Sequence, residues 1–408
     1  MFNNKISVLF AVPSISRVYT GVYELVKNLA KEFYKKDVRV EVHGMRDKYS
    51  DLDIVSWLPI EPKVHENNQL ERLSYGRSLY ASLLISNCNI GHIQVLWSYA
   101  AYAIYRWSRT KKAPYIITAN GYLDEWALGQ SKIKKRIALK LVFSRILRSA
   151  SCIQVNSENE YLSVRKLGLK NPVCIISNGV TIPELGDIST PPWATVKSTE
   201  GKKILLFLGR IHEKKGPDLL LNSWRELNFS KKLNDWHLVI VGFGDELTPF
   251  ELSVKKFIID NDMDNIVSTF GGKFGKEMNS CYSNCDAFIL PSFSEGAAIA
   301  ALAAWAFSKP LVITQQCNLS TGFDIEAAIR IEPTVDSIKL GLIELTKMSN
   351  SSLLRMGARG REHVVENYSW ESVSEKMLEV YEWVIDTTRP VPASMKLDDH
   401  FVGPGEKK

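Results

Sequence analysis

A buried strand that ends in glycine and leads through a charged loop into a helix constrains this chain more than any other segment. Residues 204–208 read Ile-Leu-Leu-Phe-Leu, and such an unbroken apolar run is typical of a strand buried on both faces. Gly209 ends the run, and Gly216 and Pro217 precede the apolar positions 219–221, which predicts the first turn of a helix there. Ligands of open parallel sheets bind at the carboxyl ends of strands, so the loop between the two elements is a candidate binding site.

The loop over residues 209–216 carries two positive charges at fixed positions. Arg210 follows the strand directly, and Lys215 precedes Gly216. A guanidinium fork and an ammonium group can share the oxygens of one diphosphate. The segment therefore favours a diphosphate-binding loop, and a solvated charged loop between two core elements is the structural alternative.

The beginning of the chain repeats this design. Residues 6–12 predict a buried strand, and a polar loop leads to Gly21 and to a helix with Val22, Leu25 and Leu29 on one face. A chain of 408 residues is also too long for one hydrophobic core. Two nucleotide-fold domains follow from the repeat and the length, and 45% hydrophobic with 24% charged residues is the composition of a globular protein.

Several segments, in order from about Ile6 to about Val384, resemble the retaining glycosyltransferases of family 4. The pattern G-R-x4-K-G at residues 209–216 is similar to the donor-binding loop of that family, and P-S-x-S-E-G at residues 291–296 is similar to its second donor loop. The resemblance implies an α/β protein with the GT-B fold, in which two Rossmann-like β/α/β domains face a central cleft.

The resemblance and the composition together predict the domain boundaries. An acceptor-side domain is expected over residues 1–182, completed by a C-terminal helix over residues 369–386. Residues 183–203 contain three prolines and predict an interdomain linker. A nucleotide-sugar-binding domain is expected over residues 204–368, and the polar residues 387–408 predict a disordered tail.

The same resemblance assigns roles on the donor side. Arg210, Lys215 and Glu295 are expected to be catalytic, with the two cations on the diphosphate and the carboxylate on hydroxyls of the donor sugar. A helix that begins near Ala297 is expected to direct its N-terminus at the diphosphate. The positions expected to bind the donor or its phosphates are Gly21, Gly209, Gly242, Gly244, Ser294, Gly296, Ala297 and Ala298.

Contacts to the acceptor or to the transferred sugar are predicted at His92, Asn120 and Gly121. Many family members carry histidine or arginine where this chain has Asn120, and an amide can hydrogen-bond a hydroxyl but cannot carry charge. His92 lies in a predicted strand that is similar to a strand near the acceptor site in the family. A lone histidine in a strand is more often structural, so that alternative stays open.

Two further positions depart from the family pattern. Thr20 stands where members usually carry a glycine beside Gly21. Ala303 stands eight residues after Glu295, at the ribose position where the family's E-x7-E motif has its second glutamate. These departures leave open a catalytically degenerate GT-B-like protein that binds sugar.

Residues 132–148 form a basic stretch. Between Trp126 and Ser157 the chain has seven basic residues and no acidic one. An anionic membrane surface is therefore a predicted partner of this stretch, and a solvated basic helix is the alternative. No apolar run approaches the ~20 residues of a membrane-spanning helix, and the six scattered cysteines predict buried free thiols rather than a zinc site or disulfides.

The predicted function is a retaining, metal-independent glycosyltransferase that needs no cofactor. It would move a sugar from a nucleotide diphosphate sugar to a polysaccharide or a lipid-linked oligosaccharide. The assembly of bacterial surface polysaccharide such as O-antigen of lipopolysaccharide, capsule or exopolysaccharide is the expected setting, with the protein cytoplasmic and peripheral on the inner face of the membrane. No nucleic acid partner is expected, and an epimerase or a phosphorylase on the same fold is a further alternative.

Overall fold

The computed structural model describes residues 6–66, 77–123, 143–184, 186, 189–229, 233 and 235–398. The chain divides into two compact units. The first unit combines Met1–Gly179 with Trp370–Lys408, and the second is Val180–Ser369. Each unit is an α/β fold built on a largely parallel sheet, which confirms the predicted fold class of two such domains.

The first unit contains a sheet in which the first seven strands are all parallel. Its strands are β1 Ser7–Val12, β2 Arg39–Met45, β3 Lys63–His65, β4 Ile90–Ile93, β5 Tyr115–Thr118, β6 Cys152–Val155 and β7 Val173–Ile175. They lie in the order β3-β2-β1-β4-β5-β6-β7. Every residue of β1, β4, β5 and β6 is buried, because helices cover both faces of a sheet of this kind.

Helices α1 to α6 follow these strands. Their bounds are α1 Thr20–Lys35, α2 Ser50–Asp53, α3 Arg77–Ile85, α4 Tyr99–Lys111, α5 Ser144–Ser149 and α6 Glu158–Lys166. Two short 3-10 helices span Arg17–Tyr19 and Ile54–Trp57. Helix α1 buries Leu25 and Leu29 and packs the partly buried Val22 against the same core, which confirms the apolar face predicted from the sequence.

The second unit contains a six-stranded parallel sheet. Its strands are β8 Lys203–Leu208, β9 Trp236–Phe243, β10 Val267–Gly271, β11 Ala287–Leu290, β12 Leu311–Thr314 and β13 Ala328–Ile331. They lie in the order β10-β9-β8-β11-β12-β13. The five residues of the 204–208 run are all buried, which confirms the strand predicted there.

Helices α7 to α13 belong to the second unit. Their bounds are α7 Pro217–Phe229, α8 Pro249–Asp260, α9 Gly275–Asn284, α10 Ile299–Ala306, α11 Thr321–Asp324, α12 Val335–Lys347 and α13 Asn350–Tyr368. Short 3-10 helices span Lys197–Thr199, Glu213–Lys215 and Gln315–Cys317. The prediction of a linker over residues 183–203 is wrong in part, because Trp193 is buried in the core of the second unit.

The last helix, α14 Trp370–Ile385, returns the chain to the first unit. Its predicted apolar face is buried there, with Val373, Met377, Val380, Tyr381 and Val384 all in the core. A last strand, β14 Met395–Lys396, pairs antiparallel with β7. The prediction of a disordered tail is therefore wrong for residues 387–398, because strand pairing and the burial of Met395 order this part of the chain.

The strand order of both sheets reverses at a defined point. Successive strands run outward from β1 to β3 on one side and from β4 to β7 on the other, and in the second sheet the same change occurs between β8 and β11. Ligands of doubly wound sheets bind outside the carboxyl ends of the strands at this switch point. In the second unit the loops at that point follow β8 and β11, and they contain the two donor motifs of the sequence.

Candidate functional site

The loop after β8 is shaped by three glycines. Gly209 has φ +153° and Gly216 has φ +66°, and the left-handed region favours glycine. A Cβ on Gly216 would lie 2.6 Å from the carbonyl oxygen of Pro291, and a Cβ on Gly242 would lie 2.0 Å from the carbonyl oxygen of Gly209. The loop therefore fits closely between the ends of β9 and β11 only because these positions lack side chains.

An ion pair joins the two loops at the switch point of the second unit. Lys215 Nζ lies 2.9 Å from Glu295 Oε1, with side chains that are only 17% and 13% exposed. Ser292 Oγ donates to the same oxygen at 2.7 Å, and the N–H of Phe293 donates to the carbonyl oxygen of Lys214 at 2.8 Å. The predicted residues Lys215 and Glu295 are thus held together in one cluster.

The second oxygen of that carboxylate is left available. Oε1 of Glu295 accepts from both Lys215 and Ser292, whereas Oε2 has no hydrogen-bond partner among the described residues. A carboxylate oxygen on such a mostly buried side chain is a strong acceptor for a hydroxyl group. Two hydrogen bonds fix the backbone at Glu295. Asn318 Nδ2 donates to the carbonyl oxygen of Glu295 at 2.5 Å, and the N–H of Glu295 donates to the carbonyl oxygen of Gln316 at 3.0 Å.

Arg210 is exposed, one residue after Gly209 and in the same loop as Lys215. Within the part of the chain that the structure describes, its guanidinium makes no hydrogen bond or ion pair. A cation without a protein partner at this edge of the sheet keeps all its donors for an anionic ligand. Arg210 and Lys215 therefore supply two positive charges on one loop, as predicted, although only Lys215 contacts Glu295.

Helix α10 begins directly after the second donor loop. Its N-cap residue is Ala298, which has no side-chain acceptor, so no side chain caps the first turn. The N–H groups of Ile299 and Ala301 already donate to the carbonyl oxygens of Ala297 and Ala298, so the helix dipole is what favours an anion at this end. The predicted positions Gly296, Ala297 and Ala298 lie at this N-terminus, and Ser294 lies half-buried in the preceding loop.

Ala303 lies on the accessible stripe of α10. Ile299 is exposed and Ala300 and Ala303 are partly exposed, whereas the other residues of the helix are buried. Positions 299, 300 and 303 share one face because they are three or four residues apart. A larger side chain at position 303 would therefore extend along the surface of the helix that stays accessible.

The glycines at the end of β9 have structural roles. Gly242 has φ +134° and packs against the carbonyl of Gly209, which alone requires glycine. The N–H of Gly244 donates to Glu251 Oε1 at 2.8 Å, and Glu251 also completes a capping box with Thr248 at the beginning of α8. The N–H of Gly244 is therefore already used within the protein and is not available for the phosphate contact predicted there.

His92 is a buried structural residue, which contradicts its predicted contact with the acceptor. It is fully buried in β4, with Nδ1 2.6 Å from Tyr381 Oη and Nε2 2.8 Å from Thr118 Oγ1. Burial lowers the pKa of His92 to about 3, so the imidazole stays neutral near neutral pH. Both ring nitrogens are engaged inside the first unit, and the sequence could not show this because the contact to Tyr381 spans 289 positions.

The neutral His92 makes the stability of the protein depend on acid. Its folded pKa of about 3 lies below the ordinary value of 6.5, so stability is full above pH 6.5 and is lost as the pH falls toward 3. We expect the free energy of unfolding of the wild type, measured in urea, to fall by about 1.4 kcal/mol more per pH unit in this window than that of His92→Gln, which cannot ionise. Parallel slopes for the two proteins would contradict this account of His92.

Asn120 and Gly121 form a tight turn after β5. Both residues have positive φ, +45° and +75°, and the N–H of Tyr122 donates to the carbonyl oxygen of Ala119 at 2.8 Å, as in a type I′ turn. Asn120 Nδ2 donates to the carbonyl oxygen of Gln94 at 3.1 Å, and Asn120 Oδ1 accepts from Asn178 Nδ2 at 3.1 Å. The amide of Asn120 is thus largely used to join the segments that follow β4, β5 and β7.

Gly21 differs from the other predicted glycines. It is exposed near the beginning of α1, its φ is not positive, and a Cβ built there would meet nothing within 4 Å. Glycine lowers helix stability by about 0.5 to 1 kcal/mol relative to alanine. The fold therefore gives no reason for glycine at this position, which leaves room for a ligand to approach the backbone.

Two residues that hold the donor cluster were missed by the sequence analysis. Ser292 bonds Glu295 directly, and Asn318 fixes the backbone at Glu295 from the loop after β12. Ser292 belongs to the P-S-x-S-E-G motif, so its position was a usable signal. Asn318 carries no motif signal, and its contribution depends on a contact 23 positions away.

Some predicted features lie outside the described residues. The basic stretch 132–148 falls mostly in the undescribed range 124–142, with Arg145 and Arg148 on α5 as its described members. In the described ranges no helix is long and apolar enough to span a membrane, and no group of three or more His, Cys, Asp or Glu side chains is arranged to hold a metal ion. All six cysteines are buried and free, as predicted.

Comparison with known families places two models on this chain. A model described as Glycosyl transferases group 1 matches residues 194–363. A model described as Glycosyltransferase Family 4 matches residues 19–182. The first match contains the two loops with Arg210, Lys215 and Glu295, and the second contains Gly21, His92 and Asn120.

Individual relatives match shorter segments. A D-inositol 3-phosphate glycosyltransferase of Pseudarthrobacter chlorophenolicus is 33% identical over 117 residues, which are 28% of this chain and 27% of that protein. An MMP alpha-(1->4)-mannosyltransferase of Mycolicibacterium hassiacum is 31% identical over 134 residues, 32% of each chain. The chain thus spans about a third or less of the length of these two relatives.

Solved structures match over nearly the whole chain. Sucrose-phosphate synthase from Thermosynechococcus elongatus superposes with a TM-score of 0.74 at 16% identity, covering 94% of this chain and 100% of that one. HepE from Anabaena, in complex with UDP and glucose, superposes with a TM-score of 0.70 at 14% identity, covering 92% and 99%. At such identities the similarity is one of fold, and it agrees with the two parallel-sheet units described above.

Proposed function

Because this chain belongs to the family 4 glycosyltransferases of the GT-B fold, we propose that it transfers a sugar from a nucleotide diphosphate sugar to a glycan acceptor. The single observation that carries the proposal is the cluster at the switch point of the second unit. There Lys215 is held against Glu295 while Arg210 stays exposed and unpaired among the described residues. Two cations and one carboxylate with a spare oxygen suit the diphosphate and the sugar hydroxyls of such a donor.

The cluster suggests how the donor is bound. Arg210 and Lys215 would neutralise the diphosphate, and the N-terminus of α10, which no side chain caps, would add the positive end of its dipole. Oε2 of Glu295 would accept a hydrogen bond from a sugar hydroxyl, while Oε1 remains on Lys215 and Ser292. The two loops need little rearrangement for this, since their contacts already exist without ligand.

For the chemical step we propose transfer with retention of configuration. The bond between the anomeric carbon and the phosphate oxygen breaks, and the electron pair leaves with the diphosphate. The acceptor oxygen forms the new glycosidic bond on the same face, and its proton passes to the departing phosphate oxygen. Arg210 and Lys215 stabilise the charge that develops on that leaving group, and we expect turnover without added metal or cofactor.

A coupled assay for a nucleoside diphosphate tests the proposed function. Structures of similar fold were solved with UDP and glucose or with UDP-glucose, so uridine donors come first in a panel that also includes GDP- and ADP-sugars. We expect one donor to release its nucleoside diphosphate when acceptor is added, and the product linkage to keep the donor's anomeric configuration. An inverted linkage would contradict the retaining mechanism without contradicting glycosyl transfer.

For the acceptor we propose a growing polysaccharide or a lipid-linked oligosaccharide, as in bacterial surface polysaccharide assembly. A lipid-linked acceptor would bring the protein to the inner face of the membrane. The seven basic residues between Trp126 and Ser157, with no acidic residue among them, support this setting. Each such residue near an anionic surface contributes about 1 kcal/mol of attraction.

Membrane association would be salt-sensitive if the basic stretch causes it. We expect the protein to cosediment with vesicles that contain anionic lipid and to be released as salt rises, because such attraction is screened beyond about 8 to 10 Å. The triple change Lys134→Gln, Lys135→Gln and Arg136→Gln should weaken binding. The same change to glutamine at three exposed lysines outside the stretch, Lys197, Lys276 and Lys347, should leave binding unchanged. Equal effects of the two triple changes would refute the assignment.

A second candidate function is sugar binding without catalysis. The position that favours it is Ala303, where the ribose-binding glutamate of the family is absent. A ribose bound beside α10 would lack that carboxylate. Donor binding would then be weaker, and sugar binding without transfer would be the remaining function. The retained cluster of Arg210, Lys215 and Glu295 argues for activity, because binding a neutral sugar does not require a diphosphate clamp.

The change Ala303→Glu separates these two candidates. Because Ala303 lies on the accessible stripe of α10, we expect the new carboxylate to reach the ribose hydroxyls and to tighten donor binding by about 1 to 3 kcal/mol. Calorimetry of the nucleotide sugar measures this, and melting curves control for the fold. A destabilised variant that binds no tighter would indicate a buried unpaired charge instead, and would favour the non-catalytic candidate.

A further inference from the structure

A groove on the first unit lies apart from all residues considered so far. An open groove of about 240 Å³ lies between helices α3 and α4, and its lining residues are Arg77, Tyr80, Tyr99, Tyr102 and Arg106. Ligand pockets usually measure about 300 to 1,000 Å³. A slightly smaller volume suits a single sugar residue better than a long oligosaccharide.

Tyrosine rings form the walls of this tyrosine–arginine groove. The rings of Tyr99 and Tyr102 lie 6.2 Å apart at 40°. The guanidinium carbon of Arg106 lies 5.6 Å from the ring centre of Tyr80 and 6.0 Å from that of Tyr102. The three tyrosines are half-buried and Arg106 is exposed, so flat apolar surface and a cation face the same space.

The arginine is partly oriented before any ligand binds. Its Nη1 donates to Tyr102 Oη at 3.2 Å, and stacking on the aromatic ring restricts the plane of the guanidinium. Five N–H donors in a fixed fork leave several free for a second acceptor. This geometry suits the planar, bidentate recognition of a carboxylate or a phosphate.

The two helices around the groove carry charge of one sign. Neither Arg77–Ile85 nor Tyr99–Lys111 contains an acidic residue, and the two charged residues that line the groove, Arg77 and Arg106, are both basic. Arg77 and Arg106 are both exposed. The groove is therefore a site of positive potential, and no acidic residue of either helix neutralises it.

The position of the groove in the fold connects it to the acceptor. Tyr99 is the first residue of α4, capped by Ser98, and α4 follows β4 directly. Strands β1 and β4 form the switch point of the first sheet, so the groove begins near the edge where such sheets bind ligands. A glycan bound at that edge could place a neighbouring sugar residue between α3 and α4.

We infer that the tyrosine–arginine groove binds an acidic sugar residue of the acceptor glycan. The identity of the ligand as an acceptor rests on the proposed function, but the binding itself does not depend on catalysis. The tyrosine faces pack against the C–H surface of the sugar ring, and Arg106 with Arg77 pairs with its anionic group. That group is a carboxylate of a uronic acid or a phosphate ester, which share this recognition.

Ligand-observed NMR on the full-length protein tests the groove with defined probes. D-Glucuronate and glucose 6-phosphate represent the two anions, and D-glucose is the neutral counterpart. We expect at least one acidic sugar to show saturation transfer and to bind about tenfold more weakly to Arg106→Gln and to Tyr80→Ala. The anion that gives the stronger signal identifies the source of the charge.

Arg109→Gln is the matched control, because Arg109 is exposed on the same helix but does not line the cavity. We expect its binding to equal that of the wild type. Equal binding of acidic sugars to wild type, Arg106→Gln and Tyr80→Ala would overturn the inference, and so would a wild type that binds neither glucuronate nor glucose 6-phosphate more tightly than glucose. The tyrosine–arginine cluster would then only pack α3 against α4.

A second readout separates this inference from the proposed function. If donor turnover is found, Arg106→Gln should raise the KM for an acceptor with an acidic sugar about tenfold and leave the affinity for the donor unchanged. Turnover of a donor by a wild type that binds neither acidic sugar would contradict only the inference about the groove. Sugar binding in the groove without turnover of any donor would contradict the proposed function and leave the groove as a glycan-binding site.

Discussion

Replacing Arg210 by alanine should lower kcat/KM for the donor by about a hundredfold to a thousandfold while the melting temperature stays that of the wild type. The loss corresponds to about 3 to 4 kcal/mol, the typical effect of removing one preorganised donor from a developing charge. Arg210 is exposed and makes no hydrogen bond within the described part of the chain, so no native contact is lost. Initial rates of nucleoside diphosphate release, with calorimetric melting, measure both quantities.

Lys215→Ala should cost at least as much activity, with some loss of stability. The mostly buried Glu295 then keeps its hydrogen bond from Ser292 but loses its cation, and breaking one side of such a pair is destabilising. Lys276→Ala, an exposed lysine on α9, is the control and should change neither quantity. Near-wild-type rates for Arg210→Ala or Lys215→Ala would mean that the loop after β8 is not the diphosphate clamp.

Gly242→Ala should damage both the fold and the site. A Cβ there would lie 2.0 Å from the carbonyl oxygen of Gly209, and φ is +134°, so both crowding and backbone strain act. We expect the free energy of unfolding to fall by about 2 to 4 kcal/mol, as measured by urea denaturation. Donor affinity should fall as well, because relief of this contact displaces Gly209 at the beginning of the clamp loop, residues 209–216.

Gly21→Ala provides the contrast, since its Cβ would meet nothing within 4 Å. We expect its stability to be unchanged or raised by up to about 1 kcal/mol, as for alanine over glycine in a helix. Lower turnover in that stable variant would support the approach of a ligand to Gly21. A Gly242→Ala protein as stable as the wild type would show that the end of β9 can move away from the clamp loop.

The extent to which sequence reasoning succeeded depends on how local each feature is. The strand over residues 204–208 and the clamp loop were predictable, because an apolar run, glycines and charges at short spacing determine them. The direct pairing of Lys215 with Glu295 spans 80 positions, and the sequence indicated only that both belong to donor motifs. Their contact follows from the adjacency of β8 and β11, which no local pattern contains.

His92 and the C-terminal segment illustrate the opposite case. Every residue of β4 is buried, so the strand has no alternation that would show which way His92 points. Its partner Tyr381 lies on α14, and β14 pairs with β7 across more than two hundred residues. The polar composition of residues 387–398 favours disorder, but long-range strand pairing outweighs it.

A crystal structure of the full chain with UDP, or with whichever nucleoside diphosphate shifts its melting temperature most, tests the central claim most directly. The account predicts diphosphate oxygens within hydrogen-bond distance of the Arg210 guanidinium and of Lys215 Nζ, in front of the N-terminus of α10. It also predicts that Lys215 and Glu295 remain close in the complex. A diphosphate bound elsewhere, with Arg210 and Lys215 both free of it, would contradict the account.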